Sequence, residues 1–166
     1  MSEPARVLIT AAAADLLGRL QDRYGPVMFH QSGGCCDGSS PMCYPDGEFI
    51  VGDRDVLLGI VRGAPVWISG PQFATWKHTQ LVIDVVPGRG GGFSLEAPEG
   101  VRFLSRGRAF STAENQVLAA AAPLTGADFE AGARPPLRDD LVVGEHGLTS
   151  TDACSLPARR ADNAAT

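Results

Sequence analysis

Asp55-Val56-Leu57-Leu58-Gly59-Ile60-Val61 and Ala64-Pro65-Val66-Trp67-Ile68, separated only by Arg62-Gly63, are the runs on which the fold turns. Both are apolar, rich in β-branched residues and too short for a buried helix, and the two residues between them suit a tight turn. They predict a hairpin. Downstream, Ser69 is placed to cap a short helix with Pro71 in its first turn and Phe73 and Trp76 on its buried side. Gln80-Leu81-Val82-Ile83-Asp84-Val85-Val86 then reads as a strand, Gly88-Arg89-Gly90-Gly91-Gly92 as a turn, and the alternation of Phe93-Ser94-Leu95-Glu96-Ala97 as a half-buried strand. Upstream, Thr10 caps a helix whose Ala13, Leu16, Leu17 and Leu20 recur at helical spacing. Pro26-Val27-Met28-Phe29-His30-Gln31 reads as a strand entering a loop, with extended structure expected to resume at Glu48-Phe49-Ile50-Val51. The sum is an α+β fold, mostly β, with an N-terminal helix.

A chain of 166 residues, 44% hydrophobic and 20% charged, supports one hydrophobic core and hence a single domain. No apolar run approaches the ~20 residues of a membrane helix, and no cationic stretch leads into an apolar block at the start, so no membrane association and a cytoplasmic location are expected. The net charge of −5 argues against nucleic acid, whose partners carry a basic stripe. Most of that charge lies late: residues 1–110 carry ten Lys/Arg against eleven Asp/Glu, residues 111–166 four against eight. The division drawn from this is an α+β domain over 1–110 and an acidic Ala/Pro-rich extension over 111–166, its end expected to fray. Within the extension, Thr112 is placed to cap a helix over 113–122 that stops at Pro123, and Leu141-Val142-Val143 to add an edge strand or dock on a partner.

The chemistry-bearing stretch is His30-Gln31-Ser32-Gly33-Gly34-Cys35-Cys36-Asp37-Gly38, with Cys43 shortly after. Glycines let the backbone approach a ligand closely and aim successive amides inward, which suits an ion or a thiolate held near Ser32, Gly33 and Gly34. In a reducing compartment, clustered cysteines more often bind metal or do redox work than form disulfides. Adjacent side chains point apart, so Cys35 and Cys36 are not expected both to ligate one ion, and a second ligand would come from Cys43, His30 or His78. The competing reading is that one cysteine packs in the core and the glycines only turn the chain. Arg89 is positioned either to clamp an anion or to stay solvated. Neither a Gly-x-Ser-x-Gly elbow nor a phosphate-binding Gly-Lys loop occurs.

Two resemblances follow from these residues. The run from Met28 through Cys43, then Trp76-Lys77-His78-Thr79-Gln80-Leu81, then Asp84-Val85-Val86-Pro87-Gly88-Arg89-Gly90-Gly91-Gly92-Phe93-Ser94-Leu95-Glu96 resembles the DUF779 family. These are uncharacterised bacterial proteins often encoded beside NAD-dependent aldehyde dehydrogenases. The resemblance spans residues 7–110 and implies an accessory role with an aldehyde dehydrogenase as partner. More distantly, the Ser-Gly-Gly-Cys loop and its order of elements are similar to the HesB-like A-type iron–sulfur carriers, although the carriers' C-terminal cysteine pair is missing and Cys154 stands alone. That likeness implies a HesB-like topology and a zinc or iron ion, or an iron–sulfur cluster. The expectation is therefore a non-enzymatic metal-binding accessory protein. A small thiol-dependent enzyme acting on aldehydes, and an interaction protein without ligand, are the alternatives; a homodimer is compatible with each.

Overall fold

The fold is that of a computed structural model describing residues 3–31, 41–89 and 93–144. The chain begins with β1 (Val7–Thr10), which runs straight into α1 (Ala11–Tyr24). Thr10 makes that junction: its backbone is extended, and its hydroxyl accepts the Ala13 N–H to cap the helix. Ala13, Ala14, Leu16, Leu17 and Leu20 form the buried stripe. Gly25, at φ 81, ends α1 by donating its N–H to Gln21 O, a backbone geometry that glycine adopts without strain.

Next come β2 (Val27–Gln31), β3 (Met42–Pro45), β4 (Val56–Val61) and β5 (Ala64–Ile68). They form a sheet in the order β3-β2-β5-β4, with β2 parallel to β5 and both outer pairs antiparallel. The hairpin read from the sequence is present: Val61 pairs with Ala64 around Arg62 and Gly63, both at positive φ, as the twist of a two-residue turn requires. A second sheet follows from α2 (Gly70–Trp76), β6 (Thr79–Pro87), β7 (Val101–Ala109), α3 (Thr112–Ala119), α4 (Gly126–Glu130) and β8 (Val142–Val143), its strands ordered β7-β6-β1-β8.

The two sheets share one core with α1. Val7, Ile9, Ile83 and Phe103 come from one sheet and Phe29, Cys43, Val66 and Ile68 from the other, and Phe29 meets Phe103 edge-on at 4.9 Å. At a bulge in β4, Gly59 lets the sheets approach: a Cβ there would stand 2.8 Å from Val7 Cγ1. The second face of the β2 sheet has its own cluster, Met28, Leu57 and Trp67, covered by Tyr44, Phe49, Leu124 and Phe129. Residues after 110 thus pack back on the rest: Leu118 and Leu141 are buried, and β8 extends the sheet beside β1.

The mixed fold with more strand than helix is as the sequence indicates, with four local corrections. Residues 48–51 are not a strand, because Pro45-Asp46-Gly47 turns the chain once β3 has paired with β2, leaving Phe49 and Val51 as cover for the outer face. Residues 93–97 are not a strand either; Ser94 and Glu96 turn inward and Phe93 outward before a short 3₁₀ turn, Ala97–Glu99. Strands β1 and β7 had no counterpart in the sequence reading. Finally, α3 is capped by Ser111, through a reciprocal bond with Glu114, and ends at Ala119. Among the described residues no helix is long and apolar enough to cross a membrane.

Candidate functional site

The parallel strands β2 and β5 end at the same edge, where Gln31 lies beside Ile68. The carboxyl ends of parallel strands are where α/β sheets commonly place ligands. Here the chain leaves β2 into the Ser32 to Ser40 segment and returns at β3, with His30 opposite Met42. Alternation sends His30 and Gln31 to opposite faces.

On the outer face, His30 is 5% exposed and packs against the Phe49 ring at 4.5 Å, which in turn stacks on Tyr44. Its Nε2 lies 3.2 Å from Asp55 Oδ2. Asp55 sits in a turn that fixes the carboxylate: Gly52 N–H donates to Oδ2 at 2.9 Å, and the Asp55 N–H donates to Gly52 O at 3.0 Å. The first residue of α4 braces this turn, since Gly126 N–H donates to Asp55 O, and a Cβ at Gly126 would stand 2.1 Å from Gly52 O. An ionised carboxylate only accepts, so this pairing assigns the proton of a neutral ring to Nε2 and leaves Nδ1 with a bare lone pair. That Nδ1 is buried and meets no hydrogen-bond partner among the described residues. Such an atom carries a free-energy cost unless something occupies it.

The inner face is polar in a different way. Gln31 is fully buried and accepts from Ser105 Oγ at 2.6 Å. Cys43, one strand over, is sealed in the core; burial first, and the neighbouring Glu96 second, push its thiol far up, so it stays protonated. Ser94 bridges the two: its Oγ accepts the Cys43 N–H at 2.9 Å and donates to Glu96 Oε2. Phe103 N–H donates to Glu96 Oε1 at 3.3 Å. Burial nonetheless raises the Glu96 carboxyl above its ordinary value, outweighing these hydrogen bonds.

The sequence candidates separate accordingly. Ser32, Gly33, Gly34, Cys35 and Cys36 lie outside the described residues, as do Asp37, His146 and Cys154. His30 sits at the site, whereas Cys43 faces the other side of the same sheet, so the structure does not bring these two together. His78 is at the entry to β6 with Nδ1 3.1 Å from Asn115 Oδ1, on the other sheet. Arg89 is exposed beyond the end of β6. Among the described residues no group of three His, Cys, Asp or Glu side chains is arranged to hold a metal. Asp55 and Glu96 were missed: Asp55 is 25 residues from its histidine, and Glu96 sat within an alternation read as strand.

A family model described as a domain of unknown function, DUF779, matches residues 16–109, from within α1 to the end of β7. His30, Asp55, Cys43 and Glu96 fall inside the match; β1, α3, α4 and β8 fall outside it. No curated protein and no solved structure matches the chain.

Proposed function

The chain belongs to the DUF779 family, a domain of unknown function, and we propose from the site itself that it is a non-enzymatic module binding a metal through His30 and the Cys35-Cys36 segment. One observation carries the reading: a buried imidazole is held through Nε2 by a carboxylate while its Nδ1 has no partner among the described residues. Histidines that ligate metals are oriented in this way, the outer carboxylate fixing the tautomer and raising the basicity of the ligating nitrogen. His30 Nδ1 would supply the imidazole ligand, and the thiol of Cys35 or Cys36, five or six residues along the chain, the sulfur ligand. Imidazole with thiolate suits zinc or iron, and the distant likeness to A-type carriers adds an iron–sulfur unit. The bound ion would supply either a structural lock on the segment or a redox centre. The family resemblance read in the sequence supports the partner, an NAD-dependent aldehyde dehydrogenase.

Elemental analysis with an ultraviolet–visible spectrum of anaerobically purified protein tests this. Stoichiometric zinc or iron is expected, and it should fall sharply in His30→Gln and in one of Cys35→Ser and Cys36→Ser. Metal-free protein, or metal retained in His30→Gln or in both cysteine variants, would overturn the proposal.

The same pair favours a second chemistry, because a carboxylate-oriented imidazole is also the base that activates a thiol. In that case Cys35 or Cys36 would label rapidly with iodoacetamide near neutral pH in metal-free protein, and His30→Gln would abolish the excess rate. Labelling at the free-thiol rate would remove this reading.

A further inference from the structure

A cleft of about 540 Å³ opens between the N-terminal segment, β4 and the stretches around residues 121–124 and 134–141. It is separate from the His30 site, and of its walls only the part from β4 lies within residues 16–109. Its floor is apolar, with Leu57, Leu58 and Leu141 among the lining, and prolines 123, 135 and 136 stiffen its rim. The volume falls in the range of small-molecule sites.

Two arginines line it in the same manner. Arg6, only 9% exposed, donates through Nη2 to Leu118 O and Ala121 O at the C-terminal end of α3, with its guanidinium 5.4 Å from the Phe73 ring centre. Arg134 donates through Nη1 to Phe129 O and Ala133 O, with its guanidinium 3.5 Å from the Phe129 ring centre. Each is thus held by carbonyls on one nitrogen and by an aromatic face, and among the described residues the Nε–H and the other terminal nitrogen meet no acceptor. Neither forms an ion pair among the described residues, whereas the third arginine of the cleft, Arg138, is paired with Asp140. Of the remaining charges, the Glu3 carboxylate lies at the rim and offsets Arg6 in part. Burial lowers the Arg6 pKa, and the Glu3 carboxylate acts against that shift without cancelling it.

We infer that this cleft binds an organic monocarboxylate, its carboxylate between the free edges of Arg6 and Arg134 and its apolar body on the leucine floor. Two pre-organised guanidinia over an apolar floor complement an acid of that kind, and guanidinium forks suit a planar carboxylate. The inference is independent of any metal at His30.

Calorimetric titration with octanoate, 1-octanol and acetate tests it on the unmodified chain. Octanoate should bind at least about tenfold more tightly than 1-octanol, since a charge-assisted hydrogen bond exceeds a neutral one by roughly that factor in affinity, and at least about tenfold more tightly than acetate, since only octanoate buries an apolar chain on the leucines. Arg134→Gln, at an exposed position, should remove most of that advantage, while Arg134→Lys should keep part of it. Equal affinity for octanoate and octanol, no octanoate binding at millimolar concentration, or octanoate binding unchanged in Arg134→Gln would each overturn the inference.

Discussion

The two faces of the β2–β3 hairpin differ in how they treat polar groups. On the inner face, the backbone and side-chain polar atoms around Cys43, Ser94 and Glu96 find partners within a sealed core. On the outer face, His30 is equally buried and rigidly held, yet one of its ring nitrogens is left without a partner among the described residues. Cys43 and His30 stand on neighbouring strands in nearly adjacent register, so the difference is one of strand alternation, and it separates a thiol sealed in the core from an imidazole with one nitrogen unpartnered among the described residues.

The largest expected effect lies on the inner side. Phe29→Ala removes a fully buried ring packed on Phe103 and should cost about 3–5 kcal/mol of unfolding free energy, read by urea denaturation. A loss below about 1 kcal/mol would mean that this face is not the structural one. On the outer side, Asp55→Asn keeps an acceptor oxygen where Oδ2 stands, because Gly52 N–H donates to that same atom, but it removes the negative charge that raises the basicity of the ring. Metal affinity should fall about 10–100-fold with a much smaller loss of stability than in Phe29→Ala, measured by competition with a chelator and by denaturation.

A pH series sharpens the contrast further. Because burial raises the Glu96 carboxyl in the folded chain, the folded state holds its proton more tightly than the unfolded state does. Its stabilising contribution is complete below the ordinary value of 4.5 and is lost as pH rises through the folded value. Glu96→Gln should therefore flatten the decline in stability toward neutral pH, and an unchanged profile would show that Glu96 is not desolvated. The smallest effect belongs to Glu114, which bonds Arg108 and the Ser111 N–H far from both faces and is held at about 2. Its contribution is present above 4.5 and fades as pH falls toward 2; on a partly exposed pair, Glu114→Gln should cost about 1 kcal/mol or less.

What could be read from the sequence follows from how local each signal is. The β4–β5 hairpin was legible because two apolar runs and a two-residue turn are contiguous, and the α2 cap because Ser69 and Pro71 are neighbours. Strand β7 was not, because Arg102, Arg106 and Arg108 break its apolar pattern while its nine residues pair along the whole of β6. Residues 93–97 misled because their burial does alternate, but with Ser94 and Glu96 inside and Phe93 out. At the site, His30 stood out beside its cysteines, whereas Asp55 becomes its partner only when β4 is laid next to β5 and β5 next to β2. That Cys43 and His30 face apart depends on the pairing of β2 with β3, which the loop between them gave no reason to place at residues 42–45.

The imidazole of His30 is the most direct test, by long-range proton–nitrogen NMR of the chain before and after adding zinc under anaerobic conditions. The predicted spectrum has the proton on Nε2 and a bare Nδ1, and zinc moves the Nδ1 resonance of His30 at one equivalent while leaving His78 unchanged. A proton on Nδ1 in the metal-free chain, or a His30 signal indifferent to zinc, would contradict the account.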